Sequence, residues 1–90
     1  MSIPNMEFLL YFIQILSMSR KMDIRKIVGN NLKSARKAMG LTQKQIADEL
    51  GKYQPDYSEY ETGKIELDYE KIIYLCKRLD ITPNDLFEIK

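Results

Sequence analysis

Three glycines, Gly40, Gly51 and Gly63, cut the middle of the chain into two short segments. A helix confined to either has only about two turns. Each segment carries its own start signal. Thr42-Gln-Lys-Gln45 has the Thr-x-x-Gln spacing of a capping box. Gln54 reads as the cap of the second helix, with Pro55 at its first helical position, where proline is favoured. Ile46, Ala47 and Leu50 form the apolar stripe of the first helix, and Tyr57 and Tyr60 are the inward residues of the second. Gly63 stops that helix after Glu61 and Thr62.

The flanks are helical too. Ile24, Ile27, Val28, Leu32, Ala35 and Met39 recur at helical spacing, with Arg25, Lys26, Lys33 and Lys37 on the other side. Asp23 reads as the N-cap and Gly40 as the C-cap. Gly29, inside this helix, costs about 1 kcal/mol against alanine, which close approach of another helix would explain. Asp68 caps a later helix with Tyr69, Ile72, Ile73, Cys76 and Leu79 as its buried stripe. In the last piece Thr82 caps, Pro83 takes the first position, and Leu86 and Phe87 plug the core. Nothing alternates with period two and no Asn-Gly or Asp-Gly hairpin signal occurs, so the fold class is all-α.

Residues 6–16 are apolar nearly all round, broken only by Glu7 and Gln14. The run predicts a helix over 6–18, with Asn5 as N-cap. It is shorter than the roughly 20 residues a membrane span needs, and it lacks the charged start and cleavage site of a signal peptide. Such a helix must be buried on more than one face. Contact with a second chain is the first reading, with Phe8, Leu9, Tyr11, Phe12, Ile15 and Leu16 as dimerisation residues; packing within the chain and membrane association are the others. Met22 could also serve as a second translation start. The division is residues 1–21 as a hydrophobic helix and 22–90 as the main domain.

Ninety residues make one domain with a short appendage. There is no histidine, which removes the commonest general base and metal ligand. The single cysteine, Cys76, permits no internal disulfide and no Cys-based zinc site; on an apolar helix face it reads as a packed thiol in a reducing cytoplasm. No glycine-rich phosphate loop or carboxylate cluster is present. The expectation is no enzyme, no metal and no cofactor. The net charge of +1 is uneven. Residues 1–39 carry seven Lys/Arg against two acids, whereas 40–64 and 65–90 each carry an excess of two acids. Basic charge is thus concentrated before residue 40.

Two short helices joined by a glycine-containing turn have helix-turn-helix geometry. Gly29-x-x-Leu32-x-x-Ala35-Arg36, then Gly40-Leu41-Thr42-Gln43-x-x-Ile46-Ala47-x-x-Leu50-Gly51, Ser58-x-x-Glu61-x-Gly63-Lys64, and finally Ile72-Ile73-x-Leu75-Cys76-x-x-Leu79-x-Ile81-x-Pro83-x-x-Leu86-Phe87 follow. From Ile27 to Phe87 this resembles the phage-repressor/Cro-type (XRE) helix-turn-helix family. The resemblance implies a five-helix lambda-repressor-like DNA-binding domain, here with the extra N-terminal helix, and a motif over 43–62. It implies a cytoplasmic, sequence-specific transcriptional regulator of repressor type. Its partner would be double-stranded DNA, bound as a homodimer on a palindromic site, with no small-molecule ligand and no membrane.

The resemblance also implies roles for single residues. Arg36 would pair with Glu61 and lock the second motif helix to the scaffold. Gln54, Pro55, Asp56 and Glu59 would face base edges in the major groove, with Gln54 reading adenine. Gln43, Lys44, Lys52, Tyr53, Ser58 and Lys64 would touch backbone phosphates. Two acids depart from the family's pattern of small polar or basic residues. Asp56 could complement the helix N-terminus, worth about 0.3–1 kcal/mol, and Glu59 could be solvated; either could also accept a bond from cytosine N4. Tyr57 and Tyr60 are larger than the usual aliphatics and read as core residues with their hydroxyls at the rim. The alternative is a helix-turn-helix fold used as a protein-interaction module with little DNA affinity.

Overall fold

The computed structural model describes residues 21–89. The helix expected over 6–18, with its six dimerisation residues, lies outside them. The described residues form five helices and no strand: α1 (Lys21–Ala38), α2 (Gln43–Glu49), α3 (Gln54–Glu61), α4 (Tyr69–Arg78) and α5 (Pro83–Phe87). None is long and apolar enough to cross a membrane.

Local chemistry sets most of the helix ends. The Thr42 hydroxyl accepts from the Gln45 amide at 3.0 Å, and the Gln45 side chain accepts from the Thr42 amide at 2.7 Å. Thr82 and Asp85 make a second such box. Asp68 accepts from the Lys71 amide at 2.8 Å. Between α2 and α3 the chain turns at Gly51, whose φ of +68° lies in the left-handed region glycine favours. The Lys52 amide closes this turn on the Ala47 carbonyl at 2.9 Å.

Two expected caps move. Asp23 lies within α1, which already runs through Lys21 and Met22; these are good helix formers, and nothing in the local sequence forces a start at residue 23. Tyr53 rather than Gln54 is the N-cap of α3, and it makes no side-chain capping bond. Pro55 therefore occupies the second helical position. It is tolerated because the first amides of a helix have no intrahelical partner to lose.

The core gathers one stripe from each helix: Val28 and Leu32, Ile46 and Ala47, Tyr57 and Tyr60, Leu75, Cys76 and Leu79, and Leu86. The expected stripe of α4 is corrected. Tyr69 is 85% exposed and Ile73 56% exposed, while Leu75 is fully buried. A ten-residue helix meets the core along one narrow face, here Ile72, Leu75, Cys76 and Leu79 at i, i+3, i+4 and i+7. Ile24, in the first turns of α1, and Met39, just past its end, are also exposed. Asn31 ties the C-terminal segment to α1. Its amide nitrogen donates to the carbonyls of Leu86 (3.0 Å) and Asp85 (3.3 Å) and to the Glu88 carboxylate (3.2 Å).

Candidate nucleic-acid interface

Helix α3 is fastened at both ends, and the fastenings decide what it presents. At its C-terminal end it presses on α1 at Gly29. A Cβ there would lie 2.4 Å from the Glu61 carbonyl oxygen and 2.6 Å from that of Tyr60. No side chain fits, so the glycine is required by contact, as its place inside a helix suggested.

The same end carries the Arg36–Glu61 pair. Arg36 Nε donates to Glu61 Oε2 at 2.6 Å and a second guanidinium nitrogen donates to Oε1 at 3.1 Å. A further guanidinium nitrogen donates to the Leu41 carbonyl at 2.7 Å. Both residues are buried. Burial works against the charged form of Glu61. The bonds from Arg36 and Gln43 and the nearby Tyr57 outweigh it, holding the carboxyl below the usual carboxylate range. Burial, with the adjacent Glu61 carboxylate, pushes the Tyr57 hydroxyl well above its ordinary value. That hydroxyl is buried beside the ion pair, with no hydrogen-bond partner among the described residues. The expectation of a rim position is corrected: Tyr57 is wholly interior because α3 lies so close to α1.

Gln43, the first residue of α2, connects the two ends of α3. Its amide nitrogen donates to Glu61 Oε1 at 2.9 Å, and its amide oxygen accepts from the side chain of Gln54. A chain of side-chain bonds thus runs from Gln54 through Gln43 to Glu61 and Arg36. Sequence reasoning paired only the last two. The sole sequence signal for the rest is that both glutamines open a motif helix.

The outward side of α3 carries the expected base-facing residues. Gln54, Pro55 and Asp56 are exposed and Glu59 is half-buried. Tyr53 stands free beside them at 81% exposure. Ser58 is half-buried and Lys64 exposed. Lys52 leans over the Tyr60 ring, 5.7 Å from its centroid. Lys44 is exposed and pairs with Asp48 at 2.9 Å. The far end of α2 is fastened to α4, where Glu49 accepts from Arg78 Nε (2.8 Å), a second Arg78 nitrogen (3.0 Å) and the Tyr74 hydroxyl (2.6 Å). Sequence reasoning missed that cluster; it joins residues 25 and 29 positions apart that no local pattern links.

A family profile described as a helix-turn-helix domain matches residues 29–89. The chain belongs to the helix-turn-helix domain family. Within it, the chain is of the phage-repressor/Cro-type kind that its motif residues resemble. The chain is 44% identical over 52 residues to the uncharacterized HTH-type transcriptional regulator YqaE of Bacillus subtilis (strain 168). The matched stretch is 58% of this chain and 45% of that relative, so the chain spans less than half the relative's length. No solved structure shows a significant match. Within the matched stretch α2 and α3 are the two short helices joined by the turn at Gly51.

Proposed function

We propose that the chain is a sequence-specific DNA-binding transcriptional regulator of repressor type, inserting α3 into the major groove. The observation that carries this reading is the exposed N-terminal end of α3, held from behind by the Gln54–Gln43–Glu61–Arg36 chain. With one N–H engaged by Gln43, the Gln54 amide keeps a second N–H and its carbonyl oxygen. That is the donor–acceptor pair adenine N7 and N6 require. Gln43, Tyr53, Ser58 and Lys64, with Lys44 and Lys52, would rest on the flanking phosphates and fix register. With few cations at this face, one copy binds weakly. A homodimer on a palindromic site, joined through residues 1–21, would supply the second set of contacts.

The test is selection of bound oligonucleotides from a random pool at low and physiological salt, followed by gel shift. A recovered motif with salt-sensitive retention supports the reading. The absence of retention at any salt would overturn it.

Asp56 and Glu59 favour a second reading, in which the motif binds a protein. Two carboxylates on the outward face of α3 are repelled by phosphates. Replacing both by their amides separates the readings. A DNA reader gains non-specific affinity when the repulsion is removed, whereas a protein-binding face loses its partner.

A further inference from the structure

Behind α3, on the side away from its outward face, lies an apolar groove of about 300 Å³ between α1, the segment before α4, and α5. Ile24, Val28, Ile65, Leu67, Ile72 and Phe87 make most of its wall. Ile24 and Ile65 are 43% and 38% exposed, and Tyr69, at 85%, stands on its edge. Such side chains gain by being covered. Arg25 lines the same groove, and its Nε is buried with no hydrogen-bond partner among the described residues. A buried donor without an acceptor is uncommon and costly. Glu66, exposed, lines the groove as well but makes no bond to this nitrogen; an incoming chain with an oxygen acceptor would satisfy it.

We propose that this groove receives the leading segment, residues 6–16, of a second copy of the chain. The proposal rests on the dimer reading above and names the seat of that contact. The segment has nine apolar residues of eleven, and its two polar residues, Glu7 and Gln14, both carry oxygen acceptors. Residues 1–20 join α1 only a few residues before Ile24 and Arg25, so the segment and the groove's rim are neighbours along the chain. Two or three large side chains entering the groove bury roughly 150–250 Å² each. That falls short of the ~800 Å² per partner of a standard stable interface. Nine of the segment's eleven residues are apolar, more than one groove can cover. Exchange about a two-fold axis near the start of α1 resolves both shortfalls. Each segment fills its partner's groove, and the two segments cover one another. Glu7 or Gln14 then accepts from the partner's Arg25.

The test uses the full chain. It contains no tryptophan, so Phe12→Trp supplies a single emission probe. Sedimentation reads oligomeric state, and the emission maximum reads burial of the probe. The expected result is a dimer with blue-shifted emission. Ile65→Glu or Ile24→Glu should weaken that dimer at least about tenfold, because a carboxylate now meets the incoming apolar face, and shift the emission to the red. Ile73→Glu, exposed and outside the groove, should change neither, and a single cooperative melt for each variant verifies folding. A dimer unaffected by both groove substitutions overturns the groove as its seat while leaving the dimer reading intact. A monomer with a buried probe at every concentration overturns the second copy in favour of the chain's own segment. A monomer with an exposed probe overturns both.

Discussion

Arg36 of α1 and Glu61 of α3 form a two-pronged, buried ion pair, with nitrogen–oxygen distances of 2.6 and 3.1 Å across 25 residues of sequence. The pair fixes the last turn of α3 to the scaffold. The bond from Gln43 to the same carboxylate extends that hold to α2. Removing one partner strands the other charge in the interior, which costs about 3–5 kcal/mol. Arg36→Ala should therefore lower the free energy of unfolding by that amount, while exposed Lys37→Ala should stay within about 0.5 kcal/mol. Urea denaturation of the two variants checks this; equal effects would refute the pair's role.

Acid should weaken the fold through the same carboxyl. Glu61 titrates lower in the folded chain than its ordinary value of 4.5. The unfolded chain then binds the proton more readily, so stability falls as pH falls. The contribution of Glu61 is fully present above about pH 4.5 and is lost as pH drops through its lower folded value. Glu49 and Asp68 are shifted the same way by Arg78 and Lys71 and keep their part in either protein. The gap in stability between wild type and Glu61→Gln should narrow from pH 6 towards pH 3. A gap independent of pH would contradict the assignment.

Gly29→Ala tests the contact between α1 and α3. Alanine is ordinarily the better helix former by about 1 kcal/mol, yet here its Cβ would meet the Tyr60 and Glu61 carbonyls. Overpacking of this kind costs about 1–3 kcal/mol, so the variant should melt below wild type. A higher melting temperature would show that α3 can move off α1 freely.

Gln54→Ala should separate binding from stability. The side chain is exposed, and among the described residues its bond is to Gln43. Unfolding should change little, while specific DNA affinity falls by about 1–3 kcal/mol and discrimination at one base pair relaxes. Titration of a selected site and its single-base variants, at fixed salt, measures both. Unchanged discrimination would remove Gln54 from the reading.

The five helices of the described residues, their caps at Thr42, Asp68 and Thr82, and the need for Gly29 were all legible in the sequence. So was the Arg36–Glu61 pair, through the resemblance of the motif residues. The helices, caps and Gly29 depend on a local pattern or on a residue type with few alternative uses; the pair, 25 residues apart, was legible only through that resemblance. The sequence read Tyr69 and Ile73 as buried, yet they point outward, because helical spacing shows that a face exists but not how wide a neighbour covers it. The glutamine chain, the Glu49–Arg78–Tyr74 fastening and the burial of the Arg25 donor were decided by tertiary structure alone. These depend on distances between residues far apart in sequence. Such distances are set only when α1, α2, α3 and α4 have packed, whereas a cap or a turn is settled by the few residues around it.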